Sequence, residues 1–444
     1  MPKLFLSVLL ATILYGQTPV GTRPFRIEEL RTQPGYEVSI YARNLRTPRF
    51  MAFGPNGVLY VAARGGNSIV AVSKADKTIE VLRGINQPDS LVFNGTDLFI
   101  GLADGVVRLR NAVTEDLMIR TQPERLIFLP AVGGHSSRTV TIGADGKLYV
   151  SMGSTCNLCN ETDPRRAAIT RYEADGSGQT LFARGLRNSV GMAWHPVTGQ
   201  LWATENGGDG LGDDQPPEEI NIVRQNVDYG WPDCIGKQRT VAWGPAARPA
   251  RCPDTEAPEL EIQAHSAPLG LSFYTGTQFP VAVLNNAFAA FHGSWNRNTP
   301  TGYKVVRILA GTGKAEGLED FLWGFLDLNT RTTSGRPVHA EAGPDGSLYV
   351  SDDATGNIYR VKYVGPRINP GGIVCYGRSV CELYGANLMD DIKALKVTAN
   401  GQAVELLYIS PGQINFALPE GIASVVAIKV ENAKATDVAV VQLD

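Results

Sequence analysis

A short pattern recurs six times in this chain of 444 residues. Each copy has a turn, often of the Asn-Gly or Asp-Gly type, followed by alternating apolar residues with an aromatic side chain near the middle. The copies occupy residues 54–63, 93–105, 143–153, 195–207, 284–295 and 343–353. This pattern is typical of a hairpin turn that leads into a half-buried strand. Most neighbouring copies lie about 40–60 residues apart, the period of β-propeller blades. The repeats therefore predict an all-β fold with a six-bladed β-propeller.

The two ends of the repeat region indicate how the ring closes. A strand at Glu37–Tyr41 precedes the first copy, and a strand at Asn357–Tyr363 follows the last one. We expect these two strands to complete one blade together, in a propeller that spans residues 25–365. A pair of β-sandwiches is the alternative fold. It is disfavoured because sandwich strands do not carry a repeated turn-and-aromatic signature at this period.

A second module is predicted from residue 366 to residue 444. The stretch at 365–372 is rich in Gly and Pro and is interpreted as a loop. Short apolar runs follow it at residues 379–384, 395–397, 403–409, 414–418, 424–430 and 438–443. Turns such as 399–401 separate these runs. The pattern predicts a small β-sandwich domain without a catalytic cluster.

The first 17 residues resemble a secretory signal peptide. Lys3 supplies the positive charge, and the apolar stretch at 4–14 is short for a bilayer span. A membrane anchor is the alternative interpretation. No later segment is long and apolar enough to cross a membrane. We therefore expect a periplasmic or secreted protein with no transmembrane segment after signal removal.

Charge and cysteine content narrow the function classes further. The chain has 41 Lys and Arg against 44 Asp and Glu, a net charge of -3, so nucleic acid is not an expected partner. An oxidising compartment permits disulfides. The six cysteines form three local pairs, Cys156 with Cys159, Cys234 with Cys252, and Cys375 with Cys381. Sequence alone does not fix their connectivity, and the C-x-x-C pair is also compatible with a redox dithiol or half of a metal site.

Two segments carry candidate chemistry near the middle of the chain. Residues 204–234 contain several glycines and the carboxylates of Glu205, Asp209, Asp213, Asp214, Glu218 and Glu219, and such oxygen ligands suit Ca²⁺ better than a transition metal. A solvated acidic loop is the alternative. His135 follows a Gly-Gly turn, where an imidazole can accept a proton near neutral pH. A histidine that only bonds to a loop carbonyl would look the same in sequence.

Arginines recur at the loop ends beside the repeats. Arg187 with Asn188, Arg297 near Trp295, and Arg336 all lie there. A guanidinium pairs with carboxylates or oxyanions, and an indole stacks on flat ligands. Each arginine taken alone is equally compatible with a solvated loop. Together they indicate an anionic ligand in the central channel.

Several long motifs carry a resemblance to a known family. They are GHSSRTVTIGADGKLYVSMGSTCNLC (134–159), GLRNSVGMAWHPVTGQLWATENGGDGLGDDQPPEEIN (185–221), YGWPDC (229–234), AFHGSWNRNTPTGYKVVR (290–307) and GRPVHAEAGPDGSLYVSDDATGNIYRV (335–361). Over roughly residues 35–364 the chain resembles the soluble quinoprotein glucose/sorbosone dehydrogenases, and their sorbosone branch in particular. The resemblance implies a six-bladed propeller that binds pyrroloquinoline quinone (PQQ) and Ca²⁺. It also implies oxidation of a sugar or related aldehyde or alcohol, with electrons passed to an external acceptor.

Residues 385–419 resemble a different module, a C-terminal β domain appended to secreted proteins of soil bacteria. That likeness implies no activity. The tail is therefore expected to be a structural or adhesion module.

The family resemblance implies roles for individual residues. His135 matches the general base that takes the proton of the substrate hydroxyl while hydride moves to the quinone. Arg187 matches the arginine that stabilises developing negative charge. The residues expected around the quinone are Gln87, Asn188, Trp295, Arg297 and Arg336. The carbonyls of Gly207 and Gly208 match those that hold the catalytic Ca²⁺, and Glu218 and Tyr229 match positions for a further, structural Ca²⁺.

Three departures from the family pattern affect this interpretation. Gly134 stands where an Asp precedes the base in glucose-oxidising relatives, and Gly208 stands where the family has a Pro. The loop at 208–217 is longer than in the glucose-oxidising relatives. Two other functions remain compatible with the repeats. One is a calcium-dependent lactonase or esterase propeller, and the other is a secreted binding propeller without catalysis.

Overall fold

The computed structural model describes residues 19–131, 133–241 and 249–443, and these residues form an almost entirely β structure. The predicted signal peptide at 1–17 lies outside the described residues. Among the described residues, no helix has the length and apolar character of a membrane span. The helical segments in this part of the chain are 3-10 turns at Ile27–Glu29, Arg64–Gly66, Pro249–Asp254 and Val281–Val283.

Six antiparallel sheets with four principal strands each form the blades. Blade 1 has strands Pro48–Phe53, Leu59–Ala63, Ser68–Lys74 and Lys77–Arg83. Blade 2 has Pro88–Asn94, Asp97–Leu102, Gly105–Leu109 and Glu124–Phe128. Blade 3 has Arg138–Ile142, Leu148–Met152, Ala168–Tyr172 and Thr180–Arg184, with the short strand Val227–Asp228 added at its edge.

The remaining blades follow the same order. Blade 4 has Met192–Trp194, Leu201–Glu205, Glu218–Val223 and Leu260–Ile262. Blade 5 has Pro268–Phe273, Ala287–Phe291, Lys304–Leu309 and Gly317–Trp323, with Arg31–Thr32 at its edge. Blade 6 has Pro337–Ala342, Leu348–Asp352, Asn357–Tyr363 and the early strand Tyr36–Ala42. Short pairs also occur at Gly21–Thr22, Thr332–Thr333 and Leu326–Asp327, and at Cys234–Ile235 with Arg239–Thr240.

The ring closes as the sequence predicts. The strand Tyr36–Ala42 pairs antiparallel with Asn357–Tyr363, so the two ends of the propeller share blade 6. The first strand of every blade contacts the first strand of the next one, including blade 6 with blade 1. The first strands are therefore the innermost ones, and they surround a central channel.

Each predicted repeat is the first hairpin of a blade, and its aromatic residue lies in the core. These aromatics are at most 5% exposed, and they are Tyr60, Phe99, Tyr149, Trp202, Phe288 and Tyr349. Several of them contact the next blade in an edge-to-face manner, as Trp202 does with Phe273 at 5.5 Å between ring centroids. The repeated aromatic is therefore the wedge that packs one blade against its neighbour.

The C-terminal segment forms two four-stranded sheets, as the β-sandwich prediction requires. One sheet orders Arg367–Tyr376, Val380–Ala386, Gln413–Ala417 and Glu405–Ile409. The other orders Gln402–Ala403, Lys396–Ala399, Val425–Glu431 and Thr436–Gln442. Ile414, Phe416, Val426 and Ile428 are fully buried in a shared core.

The Gly- and Pro-rich stretch at 365–372 was expected to be a loop, and this expectation is wrong. Most of it belongs to the ten-residue strand Arg367–Tyr376. This strand lies at the sheet edge and its register shifts between Ile368 and Ile373. An edge position with a bulge tolerates Pro370, which has no amide hydrogen for the ladder.

The six cysteines form three disulfides, Cys156–Cys159, Cys234–Cys252 and Cys375–Cys381. Each bond joins cysteines that are near neighbours in the chain. The first bond closes a small loop next to the face of the ring on which the candidate site lies.

Candidate functional site

Two kinds of loop bring the predicted residues to one face of the ring. Connections between blades end just before a first strand, and they carry Gln87, His135, Arg187 and Arg336. Loops between second and third strands carry other candidates, such as Trp295. Successive antiparallel strands reverse direction, so both kinds of loop open on the same side. The propeller thereby gathers residues that are far apart in sequence.

A cavity of ≈ 120 Å³ lies among these loops. Six predicted residues line it, namely His135, Arg187, Asn188, Gly207, Glu218 and Trp295. Asp209, one of the carboxylates of the acidic segment, also lines it, and the lining is completed by Asn206, His265, Ala267 and Asn296, which the sequence did not single out. The cavity is polar, and only the Trp295 side chain presents a large exposed apolar surface, at 66%.

His135 is held in one orientation by Ser154. The Nδ1 atom lies 3.0 Å from the carbonyl oxygen of Ser154 and 3.1 Å from its hydroxyl. That hydroxyl donates to the carbonyl of Cys156 at 2.6 Å, so the proton between Ser154 and the ring belongs to Nδ1. This tautomer follows from the hydrogen-bond network, and it leaves a lone pair on Nε2.

The electrostatics around His135 keep the ring neutral. Burial lowers its pKa to about 4, and the positive charge of Arg187 acts in the same direction. A neutral imidazole with an unprotonated Nε2 is a proton acceptor over the whole neutral range. His135 is therefore suited to act as a base without any carboxylate beside it.

Gly134 explains why no Asp precedes this histidine. Its φ of +60° is in the left-handed region, which favours glycine. A Cβ at this position would lie 2.1 Å from the carbonyl oxygen of Ser154. That same oxygen accepts hydrogen bonds from the amide and Nδ1 of His135, each at 3.0 Å. The Ser154 carbonyl thus supports the ring from the space that an Asp at 134 would need.

Positive charge accumulates behind His135. The guanidinium of Arg138 is fully buried and donates to the carbonyls of Pro130, His135 and Ser137. Its Nε has no hydrogen-bond partner among the described residues. Burial and repulsion from Arg166 lower the pKa of Arg138 to about 10. A buried cation in this position favours an anionic ligand in the neighbouring site.

Arg187 lines the cavity and is 5% exposed. Its guanidinium donates to the carbonyl of Asn206 at 3.2 Å and pairs with Asp209 at 3.0 Å. The turn that follows is anchored by the buried Glu205, which accepts from the Asn188 amide at 2.8 Å and the Ser189 hydroxyl at 2.6 Å. These hydrogen bonds hold the turn that carries Arg187 and Asn188 to the cavity.

The predicted metal ligands meet only in part. The buried carboxylate of Glu218 accepts the amide of Gly207 at 2.6 Å, and burial raises the pKa of Glu218 to about 8. A Cβ on Gly207 would lie 2.5 Å from the ring of Pro216, so the close approach of the chain requires glycine there. Backbone carbonyls next to a buried carboxylate are suitable oxygen ligands for Ca²⁺. Gly208 follows directly in the chain but does not line the cavity.

Tyr229, which was expected at a structural Ca²⁺ together with Glu218, does not line the cavity. Its hydroxyl donates to the carbonyl of Ile222 at 2.7 Å in the buried core. Ile222 lies four residues beyond Glu218 on the same strand, which is about 13 Å at the rise of a β-strand. The Tyr229 hydroxyl therefore does not lie beside the Glu218 carboxylate, and the expected metal site at Glu218 and Tyr229 stays a prediction.

Residues 207–217, here called the strap, cover the cavity. Asp209 accepts from Asn296 at 2.6 Å, and His265 Nε2 lies 2.8 Å from the Gly212 carbonyl. Arg297 pairs with Asp214 at 2.9 Å and also contacts the Asp213 carbonyl. Arg297, which was expected to pair with a cofactor, therefore forms an ion pair with the strap in this structure. The loop at 208–217, which the sequence already shows to be longer than in glucose-oxidising relatives, thus contacts His265 and the 296–297 segment.

Gln87 and Arg336 lie outside the cavity lining, on the surrounding rim. Arg64 donates to Gln87 at 2.9 Å and to Ser136, next to His135, at 2.7 Å. Arg336 donates to the carbonyls of His292 and Gly293, each at 3.1 Å. Its guanidinium also lies 5.7 Å from the ring centroid of Tyr303. Both residues lie on the same face of the ring as the cavity without lining it.

The donor groups of the cavity fit an anionic quinone and Ca²⁺. The cavity volume is too small for the quinone while the strap lies in this position. A typical small-molecule pocket has about 300 Å³ or more, compared with ≈ 120 Å³ here. Asp209 of the strap lines the cavity and pairs with Arg187, and Asp214 of the strap pairs with Arg297. A flat ligand with several carboxylates would have to displace the strap in order to reach these arginines.

Three larger cavities in the described part of the chain lie away from this chemistry. The first, of ≈ 590 Å³, is lined by residues 25–29 and Ile40, and the other two involve residues of the blades. One of ≈ 530 Å³ lies beside blade 3, where Arg184 and Arg251 are both paired with Asp228. The other, of ≈ 360 Å³, lies at the opposite end of the channel and is lined mainly by apolar strand residues. In it His339 stacks on Phe50 at 4.5 Å. Size alone does not identify the functional site here.

Comparison with known proteins gives consistent results. A sequence model of the family described as TrAA12-like matches residues 30–364. An uncharacterized protein from Borreliella burgdorferi is 30% identical over 349 residues, 75% of this chain and 91% of that protein. A pyrroloquinoline quinone-dependent sugar dehydrogenase from Hypocrea jecorina is 24% identical over 323 residues, 59% of this chain and 72% of that enzyme. The calcium structure of a Trichoderma reesei carbohydrate-active enzyme of family AA12 has a TM-score of 0.65 at 22% identity, over 75% of this chain and 97% of that chain. That likeness shows the shared propeller fold.

Proposed function

The chain belongs to the TrAA12-like family, and on this premise we propose that it is a PQQ- and Ca²⁺-dependent dehydrogenase of a sugar or a related aldehyde or alcohol. The observation that carries the proposal is the state of His135. Its ring is neutral, its Nδ1 is engaged by Ser154, and its Nε2 is the proton acceptor in a polar cavity shared with Arg187.

Individual residues would have distinct roles in the proposed reaction. His135 Nε2 takes the proton of the substrate hydroxyl, and the buried Arg187 stabilises the negative charge that develops on that oxygen. PQQ, when bound, would supply the two-electron acceptor for the hydride that leaves the same carbon. Asn188 would lie beside this group, and Trp295 would provide an aromatic wall at the mouth of the cavity. The proton on His135 then leaves to solvent, and the two electrons leave to an external acceptor.

The calcium ligands would come from the same cavity. The carbonyls of Gly207 and Gly208 and the carboxylate of Glu218 are the groups that we expect to hold the ion. The ion would supply Lewis acidity, and its charge would also lower the pKa of Glu218. Gln87, Arg297 and Arg336 are the candidates for the quinone carboxylates after the strap has moved.

Export to the periplasm or the medium is part of the proposal. The apolar N-terminal segment supports it, as do the three disulfides. A lactonase is less well supported, because it would need several carboxylates around one ion. The only group of three candidate metal-ligating side chains in the described part of the chain is Cys156, Cys159 and Glu161, and two of these form a disulfide.

The direct test is a titration of the purified protein with PQQ, with and without Ca²⁺, followed by absorbance. Dye reduction is then measured over a panel of aldoses, sorbosone and simple alcohols. We expect calcium-dependent binding and sugar-dependent dye reduction. No binding at any calcium concentration would refute the proposal and favour a binding propeller. Sugar oxidation that needs no PQQ would also refute it.

A further inference from the structure

One residue inside the Cys156–Cys159 disulfide loop connects several parts of the site. Asn157 is the first of only two residues between the cysteines, so the disulfide restricts its backbone. It does not line the cavity. Its backbone and its side chain nevertheless reach the arginine of the site and the strap.

Asn157 holds Arg187 at two points. Its carbonyl oxygen accepts Nε of Arg187 at 3.1 Å, and its side-chain Oδ1 accepts a terminal guanidinium nitrogen at 3.0 Å. Two acceptors on one short residue match the planar fork of a guanidinium and fix both its place and its plane. The same carbonyl accepts the indole N–H of the buried Trp231 at 3.1 Å, which ties the disulfide loop to the core.

Asn157 also holds the beginning of the strap. Its Oδ1 accepts the amide of Asp209 at 2.7 Å, and its Nδ2 donates to the carbonyl of Asp209 at 2.8 Å. The side chain therefore pairs with the Asp209 backbone as a neighbouring β-strand would. The Asp209 carboxylate in turn pairs with Arg187, so the three residues form a closed triangle.

We propose that Asn157 is a positioning residue of the site, which sets the guanidinium of Arg187 towards the reacting oxygen and fixes the strap at Asp209. The inference rests on the proposed function for its catalytic part, and on geometry alone for the strap. Without the Asn157 side chain, Arg187 keeps the carbonyls of Asn157 and Asn206 and the Asp209 carboxylate. It loses the acceptor that fixes its plane, while Asp209 loses both backbone contacts.

The catalytic part predicts a specific kinetic pattern. Asn157→Ala should lower kcat by about 10- to 100-fold, the range for removing a partner that orients a functional group. KM should change little, because Arg187 acts on charge that develops in the transition state. In an Arg187→Ala background, Asn157→Ala should cause no further loss. Multiplying losses in the double variant would overturn the proposal, because they would mean that Asn157 does not act through Arg187.

Two other variants separate positioning from a general loss of structure. Asn157→Asp keeps Oδ1 for Arg187 but loses the donor to Asp209. It should retain kcat to within roughly threefold, the effect of one hydrogen bond. Asn329→Ala replaces an exposed asparagine of the propeller and should match the wild type. If Asn157→Asp is as impaired as Asn157→Ala, Oδ1 does not hold Arg187 and the proposal fails.

The strap offers a test that needs neither cofactor nor turnover. It contains Asp209, Asp213 and Asp214 but no Lys or Arg. A protease that cleaves after acidic residues therefore reports on it directly. Both Asn157→Ala and Asn157→Asp should be cut within 207–217 faster than the wild type and Asn329→Ala. Unchanged cleavage would refute the role of Asn157 at the strap. Faster cleavage in a protein without sugar oxidation would support that role while the proposed function fails.

Discussion

Replacing Glu218 by Gln is expected to have opposite effects on stability with and without calcium. The carboxylate is 4% exposed, and burial raises its pKa from 4.5 to about 8. The unfolded chain releases this proton above pH 4.5, whereas the folded, calcium-free protein keeps it up to about pH 8. The stability penalty is therefore absent below pH 4.5, grows as the pH rises, and is complete near pH 8.

The magnitude follows from the same values. At pH 7 the raised pKa of Glu218 destabilises the folded protein by about 3 kcal/mol. Each pH unit between the unfolded-state pKa and pH 7 contributes about 1.36 kcal/mol to this penalty. A neutral glutamine avoids this penalty. Its oxygen can still accept the Gly207 amide, and it loses only the long contact to the Ala267 amide at 3.4 Å. We expect the calcium-free variant to be more stable than the wild type by about 2 kcal/mol at pH 7, with little difference at pH 4.5.

Calcium should reverse this order. An ion present at 100 times its dissociation constant stabilises a protein by about 2.7 kcal/mol. Glu218→Gln removes the only charged ligand of the proposed set, so the variant should lose most of this gain. The assay is denaturant unfolding at pH 4.5 and pH 7, in chelator and in excess Ca²⁺.

Glu219→Gln is the matched control. Burial raises the pKa of Glu219 to about 7, but its carboxylate accepts from the Gly236 amide at 2.9 Å and does not line the cavity. The control should keep the full calcium effect. A wild-type calcium effect in Glu218→Gln would refute the role of Glu218 as a ligand. A variant that is less stable than the wild type in chelator at pH 7 would refute the pKa argument.

Four further outcomes are expected. His135→Gln should lower sugar oxidation by about 10²- to 10⁴-fold and leave PQQ binding intact, and loss of binding measured by absorbance would contradict its role as a base. Because burial lowers the pKa of His135 to about 4, the acid limb of kcat/KM should fall near pH 4, and a limb at pH 6.5 would contradict this. Ser154→Ala should reduce kcat by about 2- to 10-fold, the value of one hydrogen bond, because the carbonyl still holds Nδ1; an unchanged rate would mean that the hydroxyl does not orient the ring. Trp202→Ala should lower the stability measured by denaturant unfolding by about 3–5 kcal/mol. Trp295→Ala should lower it by less than about 0.5 kcal/mol and raise KM for sugar. Equal losses of stability would contradict the role of Trp202 in packing one blade against the next.

The propeller was predictable because its signal is local and repeated. The Asp-Gly turn and Tyr149 of blade 3 lie within a few residues of one another, and the same spacing recurs at Tyr349 in blade 6. Tertiary packing only places such hairpins in a ring. The stretch at 365–372 misled sequence reasoning because Gly and Pro usually mark loops, whereas an edge strand with a bulge tolerates both.

The family resemblance is confirmed by the match over residues 30–364, while the sorbosone branch stays a prediction. The assigned roles of His135, Arg187 and Glu218 also stay predictions, although the structure brings these three residues to one cavity. Asn157 was missed, although its position inside a C-x-x-C loop was a signal that could have drawn attention to it. His265 left no pattern that sequence reasoning could use, whereas Asn296 lies between Trp295 and Arg297 in a motif that was recognised.

The sequence by itself determined the number of blades and the closing strand, because the repeat has a regular period and leaves one unpaired strand before its first copy. It indicated local cysteine pairs without fixing their connectivity. Only the tertiary structure decided that Tyr229 turns into the core, that Arg297 pairs with the strap, and that Asn157 joins Arg187 to Asp209. These contacts depend on which loops meet across the ring. Their partners lie 7 to 83 positions apart in the chain, and no local pattern encodes such distances.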